Sequence, residues 1–210
     1  MAINFSRKEI AWVIIAILIL GFIISLPELS ISSPYMFLVS AIIILTSVLV
    51  KKISASHYNI KIEHKIWGFK RFWFYEKSKF KNQIPIGLII PFFISILSLG
   101  IIRILTFLQF DAKNLSKKRA LKKRGQHRYS EINESDLAFT SAWGFWALIL
   151  LAIIGYFINQ PEITKYSIYY GLWNLLPISN LDGTKLFFGS LINWILLAVV
   201  YLVSLVIILI

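Results

Sequence analysis

Long stretches of this chain carry no Asp, Glu, Lys or Arg at all: residues 10–27, 34–50, 84–102 and 137–161. From residue 166 to residue 210 the only charged side chains are Asp182 and Lys185. Crossing about 30 Å of hydrocarbon takes roughly 20 apolar residues at a helical rise. A backbone in lipid must also satisfy its own hydrogen bonds, which leaves helices or closed barrels. Uncharged runs of this length, without period-two alternation, predict an integral membrane protein built from helices. The 58% apolar and 15% charged composition agrees, since soluble domains carry about 25% charged residues.

Charge then orients the runs. Nine basic residues fall between Lys51 and Lys81, and nine more between Arg103 and Arg128, whereas the connection 27–33 has none and 159–165 has only Lys165. Basic loops stay on the cytoplasmic side, so the N-terminus and the segments 51–81 and 103–136 are expected there. The net charge of +12 follows from these loops, and the stretch 118–128 reads as a solvated segment near anionic headgroups. Nucleic acid is not an expected partner; membrane lipid is. The first run follows Arg7 and Lys8 but lacks a small-residue cleavage site, so it reads as a retained anchor. The absence of cysteine rules out disulfides and thiolate metal sites.

The predicted fold is an all-α polytopic transmembrane bundle, a single membrane domain over 1–210. Five spans are expected, at about 10–26, 34–50, 135–158, 166–188 and 191–210. The remaining run, 84–102, has basic flanks on both sides and contains Pro85, Gly87, Pro91 and Gly100. It is expected to be re-entrant or broken, covered by other helices. Within 59–76, Ile60, Ile62, His64 and Ile66 alternate with charged residues, and Gly68 then precedes an aromatic run. That pattern predicts a cytoplasmic β-hairpin.

An ionisable group inside an apolar segment is expensive and marks a functional hypothesis. Asp182 is one, five residues after Pro177 and directly before Gly183. Proline removes a backbone donor and glycine permits a sharp turn, while Asn174 and Asn180 offer side chains for the freed backbone groups. The residues alone support either a broken helix holding a carboxylate in a protein-lined cavity or a local Asp182–Lys185 pair at i,i+3 spacing.

The pattern Asn174-x-x-Pro177-x-x-x-Leu181-Asp182-Gly183 resembles the Asn-Pro-Leu-Asp-Gly signature of the site-2 protease family of intramembrane zinc metalloproteases. The stretch around Gly144, with Phe145 where the family has proline, is also similar. The resemblance implies that Asp182 stands where the family has its third zinc ligand. The other two ligands are histidines of a His-Glu-x-x-His helix, whose glutamate serves as general base. Such a pentapeptide works because i and i+4 share one helical face. None occurs here, and the aligned positions are Ser47, Val48, Leu49, Val50 and Lys51.

No catalytic residue can be assigned, and Asp182 is expected to be a vestigial ligand with Lys51 neutralising it in place of zinc. The three histidines, His57, His64 and His127, read as solvent or interface residues. That holds for the pairings Glu63–His64 and His127–Glu131 as well. The resemblance therefore implies a catalytically inactive homologue that binds transmembrane segments of clients or assists an active relative, with no cofactor. The alternatives are an active zinc endopeptidase with atypical ligands, and a small transporter or channel subunit.

Overall fold

The computed structural model describes residues 5–26, 33–58, 60–71, 79–114, 123–124, 127–128 and 132–209. The elements in chain order are α1 (Arg7–Ser25), α2 (Ser33–His57), β1 (Ile60–Ile66), β2 (Phe69–Arg71), β3 (Lys79–Ile84) and α3 (Ile86–Leu97). They continue with β4 (Leu108–Asn114), β5 (Lys123–Arg124), β6 (His127–Arg128), α4 (Glu134–Phe157), α5 (Pro161–Leu175), α6 (Asp182–Gly189) and α7 (Leu191–Leu209). Among the described residues, four helices (α1, α2, α4 and α7) are long and apolar enough to cross a membrane.

α1 and α2 lie antiparallel, with Ser40 on α2 donating to the Ile17 carbonyl of α1 at 3.0 Å. α4 packs against α2, α5 and α6, and α7 closes on α4, α5 and α6. Val13, Leu20, Ile23, Ile43, Ile44, Leu148 and Tyr170 form one buried cluster. Ala142, Phe145, Leu186, Leu197 and Tyr201 form a second. Large apolar side chains on the outer faces of α4 and α7, such as Trp143, Leu150, Ile192 and Val203, are exposed. A helix apolar on both its packed and its exposed faces is what a lipid solvent selects.

Three expectations need correction. The span at 166–188 is not one helix: α5 is 15 residues long, α6 is 8, and the chain between them is unwound. At about 1.5 Å per residue, α5 reaches only about 22 Å. The second span does not end at residue 50. α2 runs on to His57, so Lys51 and Lys52 belong to the helix rather than to a cytoplasmic loop. The strand at 60–66 does form, but it does not fold back across Gly68. β1 pairs antiparallel with β4, Ile62 opposite Ala112 and His64 opposite Phe110, while β2 pairs with β3. Burying Ile60, Ile62, His64 and Ile66 requires a partner that also presents apolar residues inward. Leu108 and Phe110 meet that need.

The 84–102 run is settled by its two ends. The Gly87 N–H donates to the Trp67 carbonyl, and the Trp67 N–H donates to the Phe107 carbonyl, both at 2.8 Å. The chain thus leaves and returns to one residue, and the segment between forms a hairpin. α3 descends for 12 residues. It then reverses at Leu99 (φ 51°) and Gly100 (φ 80°), and 103–107 returns extended to β4. The Gly100 N–H bonds the Ser95 carbonyl at 2.8 Å, a helix end closed by left-handed residues.

Gly87 sits at the neck of this hairpin, where an added Cβ would stand 2.8 Å from the Phe107 carbonyl oxygen and 2.9 Å from Trp67 Cβ. Gly87→Val is expected to lower stability by about 1–3 kcal/mol, read as a reduced thermal midpoint in detergent. An unchanged midpoint would contradict the closed neck.

Candidate functional site

Asp182 opens α6 at the end of the unwound segment 176–181, and it is 2% exposed. A carboxylate in a helix's first turn is favoured by the helix dipole. The break is held by other groups than expected. The Trp194 indole donates to the Leu175 carbonyl at 2.9 Å. Asn174 Nδ2 donates to the carbonyls of Tyr170 at 2.7 Å and Leu105 at 3.1 Å, tying α5 to the hairpin's return leg. Asn180 and Pro177 are exposed in the break. Gly183 is required sterically, because a Cβ there would lie 2.1 Å from the Leu175 carbonyl oxygen.

The structure brings Lys51 to Asp182. Lys51 Nζ donates to Asp182 Oδ2 at 2.5 Å, across 131 residues of sequence, with the lysine only 4% exposed. The i,i+3 alternative forms as well but is looser: Lys185 Nζ is 3.5 Å from Asp182 Oδ1. Its stronger bond, at 2.5 Å, goes to the Phe110 carbonyl. Gly144 gives the Lys51 stem its passage, since a Cβ there would stand 2.3 Å from Lys51 Cε. Ser47, one turn before Lys51, and Val48 are both buried on α2.

A second buried ionic cluster adjoins the first and was not foreseen. Glu9 Oε2 accepts from Lys52 Nζ at 2.6 Å. Glu9 Oε1 accepts from both the backbone N–H and the ring Nδ1 of His64, each at 3.0 Å. Glu9 is 1% exposed and His64 2%, so His64 is an interior residue, not a solvent or interface one. The alternation had already grouped His64 with Ile60, Ile62 and Ile66, and that was the available signal. His57 is exposed at the end of α2; Glu131 and the His127 side chain lie outside the described residues.

Consecutive lysines thus reach opposite parts of the chain, Lys52 to α1 and Lys51 to α6. Pulling one partner from a buried pair leaves an uncompensated charge and costs about 3–5 kcal/mol. The Lys52–Glu9 pair therefore fixes α1 on α2, and the Lys51–Asp182 pair fixes α2 on α6.

Chemically the arrangement is closed. The Asp182 carboxylate faces two ammonium groups. Zinc in this kind of centre takes three protein ligands and leaves an open position. Among the described residues no three His, Cys, Asp or Glu side chains stand close enough to share an ion. The donors present do not fit a zinc centre. Several buried polar atoms nearby lack a protein partner, among them Ser47 Oγ, Asn174 Oδ1 and both ends of Gln109. Sites of that kind commonly hold ordered water. No family model, curated protein or solved structure matches the chain.

Two expectations follow. Gly144→Val should crowd the Lys51 stem, with an overpacking cost that lowers the thermal midpoint by roughly 3–10 °C; an unshifted midpoint would contradict the contact. Burial holds the His64 imidazole below the ordinary histidine range; its bond to Glu9 opposes this and the Lys51 ammonium reinforces it. The folded chain keeps His64 neutral where the unfolded chain takes a proton. Its contribution is therefore full above about pH 6.5 and is lost as pH falls. The thermal midpoint should fall more steeply toward about pH 5 in the native chain than in His64→Gln. Equal slopes would contradict it.

Proposed function

We propose that this chain is a multi-pass integral membrane protein of the site-2 protease family that has given up peptide hydrolysis and binds transmembrane segments of other proteins. The observation that carries the reading is the buried Lys51–Asp182 pair. In the alignment with that family, Lys51 stands at the second histidine and Asp182 at the third ligand. These two positions meet at 2.5 Å, which is the juxtaposition the family scaffold requires. The chemistry between them is an ammonium and a carboxylate in place of a shared ion.

Three further features support the scaffold. The Asn174–Gly183 stretch is a broken helix whose glycine packs against the preceding helix end. Gly144 sits against the α2 position that would carry the ligand. The neck of the 84–102 hairpin and the β1–β4 sheet, whose Phe110 carbonyl takes the Lys185 ammonium, lie on the Asp182 side of the bundle, the side the positive-inside rule assigns to the cytoplasm. The unwound segment exposes Leu176 and Ile178 beside the site, and a client helix is proposed to lie there.

Zinc content separates this reading from an active enzyme. Purified protein equilibrated with zinc should hold far less than about one ion per chain, and Asp182→Ala should leave that content unchanged. The same protein should crosslink to a transmembrane peptide through a photoreactive residue at Ile178 without cutting it. Stoichiometric zinc that is lost in Asp182→Ala, or cleavage of the peptide, would overturn the proposal.

A further inference from the structure

The tip of the 84–102 hairpin carries two apolar side chains that the fold leaves open: Leu99 is 79% exposed and Ile101 85%. Beside them a groove of about 550 Å3 runs between the hairpin tip and the helices α5 and α7, with Arg103, Lys165, Tyr169, Trp173 and Leu205 in its walls. Its floor and sides are apolar apart from the two cations. Both cations flank one ring: Arg103 Cζ is 5.5 Å and Lys165 Nζ 5.9 Å from the centre of Tyr166. Arg103 is aimed by its own loop. Its Nε donates to the Gly100 carbonyl at 3.0 Å, and its Nη1 reaches the Tyr166 hydroxyl.

Among the described residues neither cation has a carboxylate within salt-bridge distance, Glu162 one turn away on α5 included. Two positive groups side by side in an apolar helical layer are costly without an anion.

The groove also has a definite height. Tyr35 at the start of α2 bonds Gln160 just before α5, at 2.5 Å, which marks one end of the bundle. Lys165 is five residues along α5 from that end. Gly189, at the end of α6, packs against the Glu134 carbonyl and marks the other end, with Asp182 deeper in the bundle beside Lys51 and Gly144. α4 separates the two ends by about 36 Å at helical rise. Lys165 and Arg103 therefore stand near the boundary where a lipid headgroup meets its acyl chains, toward the end of the bundle away from Gly189.

We propose that this groove binds an anionic phospholipid. The Arg103 guanidinium and Lys165 ammonium hold the phosphodiester, an arrangement in which guanidinium matches phosphate oxygens two at a time. The wall of Tyr169, Trp173 and Leu205 with Leu99 and Ile101 takes an acyl chain. A free phosphate matches the cations but leaves that wall uncovered. The inference rests on residues remote from Asp182 and stands whether or not the family reading does.

The test is native mass spectrometry of the full chain in detergent, titrated with dioleoyl phosphatidylglycerol, dioleoyl phosphatidylcholine or glycerol 3-phosphate. The anionic lipid should bind about tenfold more tightly than the zwitterionic one, and Lys165→Gln and Arg103→Gln should each weaken it about fivefold. Leu205→Trp, which fills the groove and leaves both charges, should weaken it as well. Arg103→Gln also removes the Tyr166 contact, so Lys165→Gln carries the test if that variant misfolds. Equal binding of the two lipids, no effect of Lys165→Gln, or displacement of the lipid by equimolar glycerol 3-phosphate would overturn the proposal.

Discussion

A charge in a low-dielectric interior either finds an opposite charge or is not tolerated, and this chain carries two such pairs on successive residues of one helix. Lys51 points to Asp182 and Lys52 to Glu9. Because consecutive helical residues are about 100° apart, the two lysines necessarily serve different neighbours. α2 is thereby committed in rotation as well as in depth. The close passage of Gly144 over the Lys51 stem and of Gly183 over Leu175 follows from that commitment, since any Cβ at either place would separate the helices the pair joins.

The hairpin and the sheet answer the same constraint from the polar side. β1 and β4 close over the charged end of the bundle and present His64 and Phe110 inward. Lys185 finds the Phe110 carbonyl there. The hairpin's return leg supplies the Leu105 carbonyl to Asn174, which ties the end of α5 to the hairpin. The result is a charge-balanced site in which the Asp182 carboxylate faces the Lys51 and Lys185 ammonium groups.

Much of this was legible in the sequence, and what was not had physical causes. Uncharged runs located α1, α2, α4 and α7 because lipid solvent leaves no other use for them. Pro177 and Gly183 raised a break before Asp182 as one of two readings, although the expected span ran through it. The basic flanks of 84–102 fit the hairpin that forms there. The expected approach of Lys51 to Asp182 is present as a buried ion pair. Glu9 stands next to Arg7 and Lys8, and nothing local in the sequence marks it as interior. Only the three-dimensional approach of Lys52 and His64 makes it interior. The β1 partner was misassigned for a similar reason. Alternation identifies a strand and its buried face, but the identity of the strand opposite depends on a contact spanning about fifty residues, and local pattern is silent on it.

The account turns on whether Lys51 and Asp182 are energetically one unit. A double-mutant cycle measured by thermal unfolding in detergent tests this directly, using Lys51→Met, Asp182→Leu and the two combined. Each single change should cost about 3–5 kcal/mol by leaving a buried charge alone, and the combined variant should recover most of that loss. Single effects that simply add would contradict the pairing, and with it the view that an ion pair now fills this site.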